Sequence, residues 1–405
     1  MPSTRRSFLG GILSGSLVMV TGCLDQVPEP DALDGTPTLD GSWAQPRYDP
    51  RNTAHVPEAT GFDEPPGKYW FVEFEWEESR FTTSPVLDDE RVFLPAQRGG
   101  SIYRFQADGE HDVFAELDGT SRLPLLAMED AIYHPRKNQL VKIDSSTGEE
   151  VHRVDVPGTS MALPTVGENR VYAGLTGGGT SQWTFSIDLT RDVLGWGVET
   201  DLLWGPPAVA DSTVFFGDSS GKLMAVETTP GTEHPDPLWI RDTEGDGVTS
   251  GVVADDESIY LQTAGTEAEP GYLLAYSHTG NERWRTEFEG RVGTSPALAD
   301  GLLYVVDEDV KLHAFDATTG EQRWTFPDGI FSESSEGGTW HDHSPVVAGD
   351  TVLYVDGDDC LRALSSDGDE LWQTSDDERV VWSPVIARDA IVYGGPTGVG
   401  VLGPR

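Results

Sequence analysis

One phrase recurs eight times along this chain of 405 residues: a proline-opened apolar segment, a polar turn, then a second apolar segment. The copies read TSPVLDDERVFL, RLPLLAMEDAIYH, ALPTVGENRVYAG, GPPAVADSTVFFG, TSGVVADDESIYL, TSPALADGLLYVV, HSPVVAGDTVLYV and WSPVIARDAIVYG. Their anchors are Pro85, Pro124, Pro164, Pro207, Gly251, Pro296, Pro345 and Pro384, spaced 39, 40, 43, 44, 45, 49 and 39 residues apart. A period near forty is the length of a propeller blade and exceeds that of most solenoid repeats.

Each copy divides into four short strands. After Pro296, SPALA and LLYVV flank an Asp-Gly pair, a strong hairpin signal. KLHAFD forms a third strand, and ATTG places Gly320 where a positive φ is wanted. EQRWTF is the fourth. The large residue of the fourth strand falls at Phe114, His152, Trp196, Trp239, Trp284, Trp324 and Trp372. These are seven, against eight anchors, because the last copy stops near Leu402 without a fourth strand. KYWFVEF, carrying Trp70, precedes the first anchor and supplies it. The expected fold is therefore all-β: an eight-bladed propeller of four-stranded antiparallel blades over 42–402, its ring closed by an N-terminal strand that completes the last blade. Trp70, Trp196, Trp239, Trp284, Trp324 and Trp372 are the expected wedges between blades.

LHAFDATTGEQRW resembles the repeat of the PQQ-like β-propeller family, with its Ala, Asp, Thr-Gly turn and Trp. The likeness is clear at Trp284, Trp324 and Trp372, weaker at His152, and degenerate at Phe114 and Trp196. SWAQPRYDPRNTAHVP (42–57) is similar to the segment that often precedes the family's first blade. The rival at this period, WD40, needs Trp-Asp and Gly-His pairs that this chain lacks. The resemblance implies two kinds of function. Some members are quinone-dependent dehydrogenases with an adjacent cysteine pair against the cofactor and long insertions around a quinone and calcium site. Others are non-enzymatic, among them a lipoprotein that helps assemble outer-membrane proteins. This chain has short blades and no adjacent cysteines, which places it nearer the second group. No cofactor is expected, with PQQ and calcium left open.

The first forty residues read as an address. Arg5 and Arg6 precede an apolar run from Phe8 to Val20, shorter than the roughly 20 residues that span a bilayer. TRRSFLG resembles a twin-arginine export signal, and VTGC a lipobox that would lipidate Cys23. Residues 1–22 are expected to be the signal peptide and 23–41 a flexible acidic tether. A lipid on Cys23 would hold the chain at the outer face of the cytoplasmic membrane. The alternative is a plain signal peptide with a coincidental cysteine.

Charge narrows the setting and the partners. Asp and Glu number 69 against 27 Lys and Arg, a net charge of −42, and only five of the cations are lysines. Such a surface suits concentrated salt, where screening over about 3 Å relieves self-repulsion. No basic stripe exists to neutralise phosphates, which argues against nucleic acid.

Local clusters are weaker. In TWHDHSP, His341 and His343 flank Asp342; on a strand both imidazoles would share a face and could meet a metal. The bland alternative is a loop entering a strand. RDTEGDG (241–247) opens like a calcium loop but lacks the closing Glu, so it reads as an acidic connection. LTGGGTSQ is a turn without the helix a phosphate cradle needs. Cys360 reads as a small buried residue. AQRGG and HPRKNQ are basic where DEDVK and DGDDC are acidic, in equivalent loops. Two readings stand: a polarised rim, with Arg98, Arg136, Lys137 and Trp340 as partner contacts, and the bland one, the charged composition common to turns. The expected function is a lipid-anchored, monomeric scaffold binding envelope or membrane proteins, without catalysis. The alternatives are a receptor for a small ligand such as a sugar in the central channel, and a PQQ-dependent dehydrogenase.

Overall fold

The computed structural model describes residues 32–405 except 40, 42, 75–82, 89, 97–99, 119–120, 122, 129, 157–160, 176–181, 230, 245–246, 266–269, 289–293, 308, 328–343, 375–379, 381 and 396–397. Its strands form eight separate sheets, each built on a four-stranded antiparallel blade and arranged as an eight-bladed β-propeller; His55–Val56 adds a fifth, parallel strand to the sheet of blade 7. Blade 1 runs Val86–Asp88, Arg91–Pro95, Ser101–Phe105 and His111–Glu116. Blade 6 runs Ala297–Ala299, Leu302–Val306, Leu312–Asp316 and Gln322–Phe326. Blades 2 to 5 begin at Leu126, Thr165, Ala208 and Val253, and blade 7 at Val346. Blade 8 takes Val385–Ile386, Ile391–Gly394 and Gly398–Gly403 from the end of the chain. Its outer strand is Gly67–Glu73, paired antiparallel to Gly398–Gly403, as the missing fourth strand required.

The turn residues explain why the chain bends where it does. Asp300 and Gly301 both have positive φ, 47° and 79°, as a tight hairpin between twisted strands demands. Asp316 opens the Thr-Gly turn by accepting hydrogen bonds from the backbone N–H groups of Thr318 and Thr319. Asp144 does the same for Ser146 and Thr147 in blade 2. The Ser146 hydroxyl, donating at 2.6 Å, and then these N–H groups hold the Asp144 carboxyl down at about 2. Strand alternation sends successive residues to opposite neighbours. In blade 2, Ile132 packs toward blade 1 while Ala131 and Tyr133 pack toward blade 3. From blade 1 through blade 6 each interface is a small core of its own, whereas those joining blades 6, 7, 8 and 1 merge with the N-terminal segment into one larger cluster.

Within residues 32–39, expected in the flexible tether, both ends make contacts with the propeller while Asp34, Gly35, Thr36 and Thr38 are exposed. Ala32 bridges Lys68 in parallel, Leu33 N–H donates to the Lys68 carbonyl, and Leu39 is fully buried. The segment expected only to precede blade 1 also has a larger role. Residues 43–56 follow the inside of the ring as a collar. Leu87, Ala127, Val209, Ala254, Leu298 and Val347, in the first strands or at their ends, donate N–H to the carbonyls of Trp43, Ala44, Pro50, Arg51, Thr53 and Ala54. Val166, in blade 3, donates to the Gln45 side chain. Blades 1 to 7 are met in order. In blades 1 to 7 an N–H of the first strand, or at its end, faces the collar, which supplies its acceptor.

Candidate functional site

Three regions of a propeller can carry function: the channel, the rims and the outer edges. The channel is filled at the level of the collar. Arg47, Gln45 and Asn52 are 3%, 4% and 1% exposed. Arg47 Nη2 donates to the carbonyls of Ser295 and Pro296, the latter at 2.6 Å. Asn52 Nδ2 donates to Pro207 and Val252 carbonyls at 2.6 and 2.9 Å. A belt of the serines that precede the anchors closes the adjoining layer. Ser84 Oγ donates to the Ser383 carbonyl and Ser383 Oγ to that of Ser344; Ser295 N–H donates to Ser344 Oγ and Gly251 N–H to Ser295 Oγ. The Ser-Pro phrase therefore ties one blade's first strand to the next.

On the rim formed by the turns between first and second strands lies a depression of about 370 Å³, lined by residues including Asp49, Arg51, Glu168, Asp211 and Ser212. Its charged groups are occupied. Asp49 accepts from the Thr53 N–H and hydroxyl, and burial pushes its carboxyl up. Glu168 accepts from Ser212 and Thr228, Asp211 meets His278 Nδ1, and Arg51 pairs with Asp256 at 2.6 Å. This reads as structural polarity and not as a ligand cradle.

The opposite rim carries the connections between blades and the turns between second and third strands. Of the expected polarised rim, Arg98 and Trp340 lie outside the described residues, and the acidic loops carry both exposed acids, Asp309 and Asp358, and acids turned inward. Asp356 is fully buried and accepts from the N–H groups of Asp358 and Cys360 and from Arg362 Nε. Asp307 accepts from Lys311 N–H and His313 Nε2. Both acids are spent on their own hairpins. Arg136, expected as a partner contact, is only 8% exposed, while Lys137 beside it is exposed. In the connection between blades 3 and 4, Trp204 is 60% exposed, the largest such value among the exposed large hydrophobics of the described residues. Sequence reasoning missed it. Its signal was a tryptophan outside the fourth-strand position, directly before Gly-Pro-Pro.

The fourth-strand tryptophans stand at the blade boundaries. Trp196, Trp239, Trp284 and Trp324 lie 5.9–6.1 Å, ring to ring, from Tyr172, Phe215, Tyr260 and Tyr304 of their own blades. Each donates its indole N–H to a carbonyl of the next blade: Thr228, His278, Ala317 and Ser366, at 2.8–3.0 Å. Trp70 reaches Ala107 of blade 1 in the same way. Blade 8 lacks a turn between third and fourth strands, and Trp372 donates instead to Phe62 in the N-terminal segment. The Thr-Gly glycine lies under the preceding blade's indole. A Cβ on Gly320 would meet the Trp284 ring at 2.5 Å, and one on Gly368 the Trp324 ring at 2.7 Å.

Cys360 is buried, forms no disulfide, and its Sγ lies 4.0 Å from the Asp358 carbonyl oxygen. Of the acidic connection after blade 4, Asp242 accepts from Glu244 N–H, closing a turn on itself. Arg5, Arg6, Cys23, Arg98, Trp340, His341, Asp342 and His343 lie outside the described residues. Among the described residues no three His, Cys, Asp or Glu side chains converge on one point. With no adjacent cysteine pair in the sequence and the channel filled by the collar, the residues present do not fit a quinone with its calcium ion.

Eight four-stranded blades define the protein class: the chain is an eight-bladed β-propeller whose repeats are similar to the PQQ-like repeat. More narrowly, residues 236–375 match the family described as "Outer membrane protein assembly factor BamB". Proteins of that name are similar over varying lengths. The Yersinia pestis protein is 23% identical over 80% of this chain and 82% of its own length. The Nitrosomonas eutropha protein is 27% identical over 30% of this chain, a match spanning only 27% of that relative. Among solved structures, BamB from Moraxella catarrhalis has a TM-score of 0.61 at 15% identity, covering 84% of this chain and 98% of that one. The quinohemoprotein alcohol dehydrogenase ADHIIG from Pseudomonas putida HK5 scores 0.67 at 13% identity, covering 93% and 83%. At such identities both show the fold alone.

Proposed function

We propose that this chain is an exported, lipid-anchored scaffold that binds envelope or membrane proteins and catalyses no reaction. The observation that carries the reading is the pairing of a filled channel with an exposed indole. The channel, where a small ligand or cofactor would sit, is taken up by Gln45, Arg47 and Asn52, while Trp204 stands 60% exposed on the rim that carries the blade connections. Exposed tryptophan on a rigid connection is the kind of residue that anchors protein interfaces. Likeness to outer membrane protein assembly factors supports the same class of task. Lipid on Cys23, export through Arg5 and Arg6, and a site on the outer face of the cytoplasmic membrane belong to this proposal, as does adaptation to strong salt.

The test is a photo-reactive amino acid at position 204 in living cells. The expected result is a discrete adduct with one exported or membrane protein, whose assembly fails when this chain is deleted. Saturable one-to-one binding of the quinone with calcium, read by calorimetry on folded protein in molar salt, would overturn the reading.

A further inference from the structure

Pairing at Lys68 fixes where the N-terminal segment leaves the propeller. Ala32 bridges Lys68 in parallel, and the Leu33 N–H donates to the Lys68 carbonyl at 2.8 Å. Lys68 belongs to Gly67–Glu73, the outermost strand of blade 8, so Ala32 lies on the circumference of the ring and not over the channel. Its height is fixed too. Gly67 pairs with Gly403 and Lys68 with Leu402, at the end of the third strand remote from the turn between Gly394 and Gly398. Ala32 therefore sits where the blade 8 edge meets the rim of first–second turns.

Cys23 precedes Ala32 by nine residues. A stretch of that length reaches at most about 32 Å, whatever its conformation. In a ring of eight, blade 4 stands opposite blade 8. With neighbouring strands about 4.8 Å apart and the collar between, the outer strands of opposite blades are about 40 Å from each other. A lipid at Cys23 thus holds the blade 8 edge close to a bilayer, while the blade 4 edge is free to stand clear of it.

The ring could still lie flat, but its surface opposes this. Each of blades 1 to 7 places an exposed Asp or Glu in its first–second turn, among them Glu90, Asp130, Asp300 and Asp350. Laying that rim on lipid would strip water from a carboxylate at blade after blade, a cost that salt does not screen. The connection rim lies about 20 Å further from Ala32, along the length of Gly67–Glu73, which uses most of the tether's reach. The blade 8 edge itself presents Phe71, 38% exposed, and keeps its one acid, Glu73, at the end far from Ala32.

We propose that the propeller stands edge-on at a lipid surface, with the outer strand of blade 8 toward the bilayer and blade 4 away from it. Trp204, between blades 3 and 4, is then presented to proteins and not to lipid. The placement rests on the lipid proposed at Cys23.

The test puts a fluorescent amino acid in place of Glu73 or Ile240, on the outer strands of blades 8 and 4, in the full chain made by cells. Energy transfer to an acceptor-labelled lipid is then measured in the isolated membranes. Transfer from 73 is expected to exceed that from 240 several-fold, and inserting about thirty Gly and Ser residues after Gln26 should shrink the contrast. Cys23→Ser checks the anchor separately and should move the protein to the soluble fraction. Equal transfer from both positions, or more from 240, in protein that Cys23→Ser releases would overturn the edge-on placement and leave the lipid intact. Protein that is soluble with Cys23 in place would overturn both.

Discussion

The boundaries between blades are of two kinds. After blades 5 and 6, an indole stands on an aromatic of its own blade, donates to the next blade's turn, and covers a glycine there. After blades 1 and 2 the position holds Phe114 and His152. Phe114 has no donor and rests on Phe93, 5.0 Å away, with its carbonyl against Gly148, where a Cβ would come within 2.0 Å. His152 is exposed; its Nε2 meets the Asp192 carbonyl at 3.1 Å, and Lys142 pairs with the Asp192 carboxylate at 3.0 Å. The comparison teaches that the turn glycine answers to the neighbouring backbone as well as to an indole. It persists at blade 2 although the tryptophan does not. Charge pairing takes over where the ring is lost.

Experiments on single residues would sharpen or break this contrast. The largest effect is expected from Trp372→Ala, which removes a 5% exposed ring and the bond that ties blade 7 to Phe62. Denaturant unfolding should show a loss of about 4 kcal/mol. Gly320→Val should lose about 3 kcal/mol, because φ of 73° is strained for a β-branched residue and the Trp284 ring blocks its Cβ. A loss below that of an ordinary surface change would break the account of the Thr-Gly turn.

The blade 1–2 boundary should also respond to acid. Burial lowers the His134 imidazole from 6.5 to about 3. The unfolded chain therefore binds the extra proton first. The stability tied to this neutral imidazole is complete above pH 6.5 and is lost as pH falls from there toward 3. One proton corresponds to a slope of about 1.4 kcal/mol per pH unit across that window. His134→Phe should flatten the slope by that amount in unfolding series at fixed salt. Trp284→Phe keeps the ring and leaves the Ala317 carbonyl without its donor, so about 1 kcal/mol should go. His152→Trp should change stability least, by about 0.5 kcal/mol, while reducing the salt dependence that Lys142 and Asp192 give this boundary.

Much of the architecture was legible because each blade repeats its physics. The Asp-Gly hairpin, the Asx-turn at Asp316, the glycine at 320 and the aromatic at 324 are local signals, and they recur at blade length. The incomplete last blade even pointed to Trp70. What stayed illegible was long-range. Residues 32–39 and 43–56 are polar and Pro-rich, with no strand periodicity, so they read as tether and lead-in. The order of 43–56 comes from acceptors offered to the first strands, and that of Ala32 and Leu33 from pairing with Lys68 on the outer strand of blade 8, which no local pattern records. Individual charges on the rim were hard to place for a related reason. Asp307, Asp356 and Arg136 look like free charges in a list of residues, but backbone geometry folds the acids onto their own hairpins and buries the arginine.

The collar ties the order of synthesis to the order of assembly. It is made first, yet it has nothing to bind until the blades exist, and its contacts run from Leu87 through Val347. Trp372 docks on Phe62 across 310 residues, and Ser84 on Ser383 across 299. A chain with such distant partners closes late and slowly. Until Gly398–Gly403 emerges, the strand with Trp70 has no sheet to join. A truncated copy thus lacks more than its missing blade: the ring stays open at one boundary, the Trp70 strand remains an unpaired edge, and the collar's last contacts are unmade. The fold in effect checks its own completeness, since only a full-length chain can make every one of these bonds.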